Sequence, residues 1–385
     1  MQPLDGVAVL DLTRLLPGAY ATSLLVGLGA DVLKVEDPRG GDGLRATPPY
    51  TASGESGVFV ALCRGKRSIT LDLKNDEGRA VLLELVARSD ALVDSFRPGV
   101  LDRLGLGADA LGAANPTLVH VSMTAYGDGE RRALPGHDLN AEGYAGILGL
   151  ARGVDGSAAL PAQPVADMAT GLQAALAVAS GLRLAERGAP LRADVTMLDS
   201  ALSLTGLAQG TAVATGAAPP TPDMLTGGLA CYGVYRCADG LELALGALEP
   251  QFFSRAVELA GRPELAARQY DVAQDALRGE LAQLFAERPR ATWLALLEGE
   301  QTCVTPVRSV ADALEDPDLR ARGVVVDDEL ADGTTVALGR PVAWLAPPPG
   351  PWRAPALGAD TDAVLEALGR DPETVRASGA VGPRP

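Results

Sequence analysis

The first 200 residues alternate between short apolar runs and longer segments in which apolar residues recur at helical spacing. The apolar runs are Val7–Leu12, Asp31–Glu36, Arg67–Lys74, Ala91–Phe96, Thr117–Met123 and Arg192–Met197. Short apolar runs are typical of strands buried on both faces, and intervening helices are typical of parallel sheets. The pattern therefore predicts an α/β fold with a Rossmann-like parallel sheet covered by helices on both faces.

The segments between these runs predict the helices of the same domain. They are Ala19–Leu28, the segment from a cap at Asn75 through Ser89, a long helix from about Asp167 to Arg187, and a helix from Asp199. Gly216–Pro222 is rich in glycine and proline and indicates a linker. The predicted large domain therefore begins with residues 1–200 and is followed by a linker at 201–226.

The composition changes after the linker and predicts a smaller α+β domain at residues 227–320. Its predicted elements are a hairpin of Tyr232–Cys237 and Leu241–Gly246, followed by helices at Gln251–Ala260, Gln274–Glu287 and Ala291–Glu298. Residues 321–385 are expected to return to the large domain and complete it. Their predicted elements are strands at Val324–Val326 and Thr335–Leu338 and a helix at Thr361–Leu368, with about ten frayed residues at the end.

Charge and cysteine content narrow the possible partners. The 33 Lys and Arg against 49 Asp and Glu give a formal net charge of −16, which would repel nucleic acid at long range. The four cysteines form no C-x-x-C pair, so a disulfide scaffold or a zinc ribbon is not expected. We expect a cytoplasmic protein with reduced thiols, without a signal peptide, a membrane span or a membrane partner.

The early strand–helix–strand pattern does not carry the dinucleotide fingerprint. Glu36 ends the second strand, where dinucleotide-binding enzymes place the acid that contacts the ribose. The first strand-to-helix turn, Thr13–Tyr20, contains one glycine where the fingerprint requires three. Backbone cannot approach a pyrophosphate closely past the other side chains, so NAD binding is not expected.

The chain has two histidines, and they differ in their surroundings. His120 lies in the middle of a predicted strand, which favours a hydrogen-bonded structural residue. His137 follows a turn at Pro135-Gly136 and precedes a helical segment, which suits the rim of a pocket. A helix-entry role for His137, with Asp138 as the cap, fits the sequence equally well.

Two carboxylates also stand at predicted helix starts. Asp167 interrupts an apolar run and opens a long helix, where a carboxylate meets backbone N–H groups and a favourable helix dipole. Glu249 follows a strand-like run and precedes a helix that starts with proline. Each of them also fits a plain helix cap or a first-turn acid.

Basic residues lie near strand ends in the first domain, where sheets of this kind bind ligands. They are Arg39, Lys66, Arg67 and Arg97. A locally basic rim on an acidic protein suits a phosphorylated carrier, although each residue alone also fits a solvated surface charge.

Several of these segments, in order, resemble the class III CoA-transferase superfamily, also called the CaiB/BaiF family. They are Leu4–Val7, Gly27–Val32, Lys66–Lys74 and Ser95–Gly107. Gly136-His137-Asp138 is similar to the G-H-D motif of the α-methylacyl-CoA racemase branch. Gly227-Gly228, Tyr232–Gly240 and Glu249–Phe252 also resemble that branch. The resemblance extends over nearly the whole chain.

The resemblance implies an activity and roles for the candidate residues. The substrate would be an acyl-CoA thioester with a methyl branch at its α-carbon, and an enolate would form when the α-proton leaves. His137, supported by Glu249 and held by Asp138, would act on one face, and Asp167 on the other. N–H donors at the helix start of Asp167 could stabilise the enolate oxygen.

The same resemblance implies the binding partners. CoA would lie along the first domain, close to the four basic residues named above. No metal or redox cofactor would be needed. The family forms an interlocked homodimer, with the active site between the large domain of one subunit and the small domain of the other.

Two departures from the racemase pattern leave alternatives open. Asp167-Met168-Ala169-Thr170-Gly171 is closer to the transferases, in which the matching aspartate is a nucleophile that carries the acyl group and then CoA. Ala141 stands where the racemases have a tyrosine, whose contact would be missing or would come from Tyr144. CoA transfer through Asp167 alone and acyl-CoA binding without turnover are therefore the competing functions.

Overall fold

The computed structural model describes residues 2–152, 157–217, 219, 222–346 and 351–383. The chain divides into two compact units, which are described separately. The first unit comprises Met1–Ile147, Pro161–Thr205 and Leu314–Pro385, and the second comprises Leu148–Leu160 and Gly206–Ala313.

The described residues form strands and helices in an alternating order along most of the chain. The strands are β1 Ala8–Leu12, β2 Asp31–Glu36, β3 Arg67–Thr70, β4 Ala91–Asp94, β5 Val119–Thr124, β6 Arg192–Thr196, β7 Tyr232–Arg236, β8 Glu242–Gly246, β9 Val304–Pro306, β10 Val325–Glu329 and β11 Thr335–Gly339. The helices are α1 Leu15–Gly27, α2 Gly57–Cys63, α3 Asp76–Val86, α4 Val100–Arg103, α5 Ala108–Ala114, α6 Asp138–Ala145, α7 Ile147–Leu150, α8 Val165–Ala185, α9 Met197–Ser203, α10 Gly206–Thr215, α11 Pro250–Leu259, α12 Gln274–Phe285, α13 Arg290–Leu297, α14 Val310–Leu314, α15 Pro317–Ala321, α16 Thr361–Ala367 and α17 Pro372–Ala377.

Six parallel strands form the sheet of the first unit, in the order β3-β2-β1-β4-β5-β6. Successive side chains alternate between its two faces. Leu10, Leu33 and Leu92 belong to one buried cluster, and their neighbours Val9 and Val32 belong to the cluster on the opposite face. The predicted α/β fold with a Rossmann-like parallel sheet is confirmed for this unit. The chain adds strands on one side of β1 up to β3 and on the other side from β4 onward, so the order of the strands reverses between β1 and β4. In sheets of this kind a ligand-binding crevice forms at that point, at the carboxyl ends of the strands.

The structure corrects two local predictions. Helix α1 begins at Leu15 rather than at Ala19, because Pro17 lies in the first turn, where a helix needs no backbone N–H. Up to residue 383, the segment that was predicted to be frayed packs onto the first unit: α17 follows α16, and Ala380 and Val381 lie in the main core. Asp72 donates its backbone N–H to the carbonyl of Ala380, which fixes this segment beside the end of β3.

Helix α8 is long and apolar enough to cross a membrane by length and composition alone. In the first unit it packs against α1, α9 and β5, with its small residues turned inward. A Cβ at Gly171 would come within 2.7 Å of the Tyr20 ring and 2.9 Å of the carbonyl oxygen of Pro17, so glycine permits this close crossing with α1. These contacts are those of a core helix in an α/β unit.

The second unit contains an antiparallel sheet in the order β7-β8-β9. Helices α11, α12 and α13 cover it and supply Phe253, Phe285 and Trp293 to its buried cluster. The predicted hairpin and its three helices are all present within two residues of their predicted bounds. Part of the segment predicted as a linker, 201–226, forms α10.

Candidate active site at the start of helices α6 and α8

The first turns of α6 and α8 are joined by hydrogen bonds, and this junction brings candidate residues together. His137 is the N-cap of α6, and Asp138 is its first helical residue. The backbone N–H of His137 donates to the Asn140 side chain at 3.0 Å, which fixes the entry to the helix. A Cβ at Gly136 would come within 2.5 Å of the Tyr126 hydroxyl oxygen, so glycine is required before the histidine. The His137 side chain is exposed.

Asp138 connects α6 to Asp167, the residue that was predicted to lie opposite His137 across the substrate. Its Oδ1 accepts a hydrogen bond from the backbone N–H of Asp167 at 3.0 Å. Within the described residues, no hydrogen bond joins the Asp138 carboxyl group to the His137 imidazole. The carboxylate therefore positions the start of α8 in this structure, rather than holding the histidine as the resemblance implied.

Asp167 is the third residue of α8 and is partly buried. Burial, followed by the negative charges of Asp138 and Glu142, raises the pKa of Asp167 to about 7. At that pKa the protonated and ionised forms are both well populated near neutral pH. A carboxyl group with such a pKa can donate or accept a proton near neutral pH, because reaching either protonation state costs little free energy.

The N–H groups at the start of α8 are already occupied, which corrects the expectation that they stabilise the enolate oxygen. Val165 N–H donates to Glu142 Oε1 at 3.0 Å, and Asp167 N–H donates to Asp138. Met168 N–H donates to the carbonyl of Pro164. An oxyanion at this position would have to displace carboxylates that already cap the helix.

The sequence also predicts contacts with the substrate site for Glu249 and Tyr144. Glu249 is the N-cap of α11 in the second unit, and its side chain is exposed. Its support of His137 stays a prediction. Tyr144 lies on α6, its ring is edge-on to Tyr126 with centroids 5.6 Å apart, and the Arg131 guanidinium lies 4.6 Å from its ring centroid.

Three of the four basic residues expected near CoA are accessible. Arg39 pairs with Asp37 at 2.8 Å, and Arg67 pairs with Asp31 at 2.6 Å, and both side chains remain about half exposed or more. Arg97 is exposed just beyond the end of β4. Their contact with CoA stays a prediction.

The fourth basic residue, Lys66, is buried and fully engaged. Its ammonium group donates to Thr22 Oγ1 at 2.6 Å and to the carbonyl of Ala19 at 3.1 Å, and lies 3.3 Å from Asp11. Burial opposes ionisation of Asp11, but Lys34 and Lys66 outweigh it and lower the pKa of that carboxyl to about 2. The ammonium group of Lys66 therefore binds buried groups of β1 and α1. This geometry argues against its direct contact with a ligand.

His120 has the hydrogen-bonded structural environment that its position in a strand favoured. Its Nε2 lies 2.8 Å from Asp94 Oδ2, which also accepts a hydrogen bond from Ser122 at 2.8 Å. These side chains line a cavity of about 280 Å³ together with Arg97 and Arg192. In the part of the chain that the structure describes, no group of three or more His, Cys, Asp or Glu side chains is arranged to hold a metal ion.

Comparison with known proteins assigns the family. The chain is 33% identical to a succinyl-CoA:mesaconate CoA-transferase of Haloarcula marismortui, over 98% of this chain and 99% of that protein. It is 32% identical to the human alpha-methylacyl-CoA racemase, over 97% and 95% of the two chains. The crystal structure of a CaiB/BaiF family protein from Brucella suis matches with a TM-score of 0.82 and 30% identity, over 95% and 99% of the two chains. Residues 4–361 match the family model of CoA-transferase family III, and the chain belongs to that family.

Proposed function

We propose that this chain racemises or epimerises acyl-CoA thioesters with a methyl branch at the α-carbon. One of the two groups, His137 or Asp167, removes the α-hydrogen as a proton. The electron pair of that C–H bond moves onto the thioester carbonyl oxygen and forms an enolate. The other group then gives a proton to the opposite face, and the C=O bond is restored. The reaction transfers only protons, so it requires no redox cofactor.

The observation that carries this proposal is the state of Asp167. A nucleophilic carboxylate must be ionised to attack, which a low pKa favours, whereas a proton carrier works best when its pKa lies near the working pH. The pKa of Asp167 is raised to about 7, and its backbone is joined to the residue after His137. An imidazole and a near-neutral carboxyl group at adjoining helix starts suit a two-base exchange of protons.

CoA transfer between carboxylic acids is the second candidate. The relatives include transferases, and the A-D-x-x-T-G sequence around Asp167 resembles theirs. Part of that motif has a packing reason here. Thr170 is buried and donates to the carbonyl of Ala166, and Gly171 permits the close crossing with α1. The motif therefore does not by itself distinguish a nucleophilic from a proton-transferring aspartate.

We further propose that the protein acts as a homodimer in the cytoplasm. In this proposal the Glu249 of a second subunit supports His137, and CoA lies along the first unit beside Arg39, Arg67 and Arg97. The family resemblance and the position of Glu249 in a separate unit support this arrangement. It predicts that a mixture of inactive His137→Ala and Glu249→Ala chains regains part of the activity on subunit exchange.

Deuterium exchange at the α-carbon tests the reaction. Each enantiomer of a 2-methylacyl-CoA is incubated separately in D₂O, and we expect deuterium incorporation with loss of optical purity from both. His137→Ala and Asp167→Ala should each abolish most of the exchange. Asp199→Ala is the matched control, because Asp199 occupies the same third position of α9 but is exposed. Absence of exchange, together with hydroxylamine-trapped acyl or CoA adducts on Asp167, would establish the transferase instead.

A further inference from the structure

Glu142 is a buried carboxyl group that no sequence motif singled out. It lies one helical turn after Asp138 on α6 and is 1% exposed. Its Oε1 accepts the N–H of Val165 at 3.0 Å. Its Oε2 is buried and forms no hydrogen bond with the described residues. Buried carboxylate oxygens normally have partners, so this oxygen requires an explanation.

The neighbour of Glu142 on the same face of α6 is another carboxyl group, that of Asp138, four residues earlier. The two carboxyl groups accept the N–H groups of Val165 and Asp167 at the start of α8, and Asp167 adds a third carboxyl group close by. Within the described residues, none of the three forms an ion pair with a lysine, arginine or histidine. Two ionised carboxylates in contact, one of them buried without a cation, would be strongly unfavourable. A single proton between them removes the repulsion and turns the unpaired oxygen into a donor.

We propose that Glu142 is a protonated carboxylic acid that donates a hydrogen bond to Asp138 and thereby positions Asp167. The donor oxygen is Oε2, and Oε1 continues to accept from Val165. The proton is shared within the pair, so Asp138 and Glu142 together carry one negative charge. Glu142 is a positioning residue, since it acts on Asp167 through Asp138 and through the first turn of α8.

The position of the pair explains why three acids, two on α6 and one on α8, can lie together at the start of α8. Glu142 and Asp138 accept backbone N–H groups at the start of α8, where the helix dipole favours negative charge. Burial, followed by Asp138, raises the pKa of Glu142, in agreement with a proton held there. The elements packed against α6 and α8 also carry titratable groups. They are Tyr20 on α1, the exposed Asp199 on α9, Asp94 on β4, His120 on β5, and Arg192 and Asp194 on β6.

Infrared spectroscopy tests the proton directly and without turnover. The comparison uses Asp167→Asn protein at pH 7, so that Asp167 contributes no carboxylic acid band. We expect the C=O stretch of a protonated carboxyl group in this protein and its loss when Glu142→Gln is added. If the two spectra differ only in ionised carboxylate bands, Glu142 carries no proton and the proposal is overturned.

Rates of α-proton exchange test the positioning role, which rests on the proposed function. In otherwise native protein, Glu142→Gln keeps a donor to Asp138 and an acceptor for Val165, so the rate should stay within about threefold of the native one. Glu142→Leu has similar volume but neither group, and the rate should fall about tenfold or more. The pH profile of Glu142→Gln should be unchanged, because Asp138 still carries one negative charge.

The two outcomes separate this proposal from the proposed function. A carboxylic acid band without any α-proton exchange would uphold the proton on Glu142 and reject the racemase. Exchange with no acid band would uphold the racemase and reject the proton. Glu142→Gln that is as slow as Glu142→Leu, in protein whose circular dichroism is native, would reject the hydrogen-bond donor as the source of positioning.

Discussion

Replacing both Asp138 and Glu142 by their amides should lower the pKa of Asp167. The double variant Asp138→Asn/Glu142→Gln keeps acceptors for the N–H groups of Asp167 and Val165. It removes the negative charge that the pair carries. Burial of Asp167, the largest cause of its raised pKa, is unchanged. The variant therefore isolates the contribution of like charge.

The size of the effect follows from the geometry of the junction. The 3.0 Å contact between Asp138 Oδ1 and the Asp167 nitrogen sets the spacing of the two side chains. It places their carboxyl groups on the order of 6 Å apart, where one charge contributes about 3 kcal/mol at an effective dielectric constant of about 20. That energy corresponds to about two pKa units, and solvent screening at this partly exposed position reduces it to about one. We expect the pKa of Asp167 to fall from about 7 to about 6.

The assay is the pH dependence of kcat/KM for α-proton exchange, measured from each enantiomer separately. For the enantiomer whose proton Asp167 removes, the rate rises with pH as Asp167 ionises. In the double variant this rise should move about one unit toward lower pH. Asp167→Asn should abolish the rise, and Asp199→Asn should leave it in place. A rise that stays at about pH 7 in the double variant would refute the assignment of the shift to like charge.

The remaining predictions concern stability and are measured by urea unfolding. Asp167 has a folded pKa above its unfolded one, so the native state binds more protons and stability falls as pH rises from about 4 to 7. Asp167→Asn should therefore stabilise the protein by about 2 kcal/mol at pH 8, after allowance for its partial exposure, and by less at pH 5. Lys34→Met leaves the buried carboxylate of Asp42 without its cation and should cost about 3–5 kcal/mol, whereas the exposed Arg39→Gln should cost less than about 1 kcal/mol. Ala380→Asp places a charge in the main core and should unfold much of the protein, whereas Ala377→Asp, three residues earlier and exposed, should not.

The spacing of apolar residues predicted the elements of both units, because each buried face of a helix or strand needs apolar side chains at regular positions in the sequence. The strand Asp31–Glu36 and the start of the helix at Gln274 are found where the pattern places them. Helix α8 is displaced by two residues, since its cap is Pro164 rather than a polar side chain. Helix α17 was missed, because it is six residues long and buries one residue, Val375, so it shows no apolar stripe.

The site was predicted less completely than the fold, for a physical reason. His137, Asp138 and Asp167 occupy motifs, and the structure brings the first turns that contain them together. Glu142 has no motif and was missed, although its spacing of four residues from Asp138 places both on one helix face. Lys66 looked like a ligand contact because its charge is visible in the sequence. Three of its interior hydrogen bonds join it to Asp11, Ala19 and Thr22, which lie 44 to 55 positions away in the sequence, and no local sequence pattern reveals such contacts.

Two groups of acids in the same unit show how neighbours decide what a carboxyl group can do. Asp11 and Asp42 are buried beside Lys34, with Lys66 also close to Asp11, and the pKa of Asp11 is about 2. A carboxylate so stabilised cannot take up a proton near neutral pH, and its contribution is to hold strand ends in place. Asp167 has acids as neighbours instead, and its pKa is about 7. The cluster of acids around Asp167 lowers the stability of the folded state when Asp167 is ionised. Groups that lower stability in this way are found mainly at functional sites, where a perturbed pKa serves the reaction. Burial, and neighbouring acids with no cation beside them among the described residues, are therefore what suit Asp167 to the proposed proton transfer.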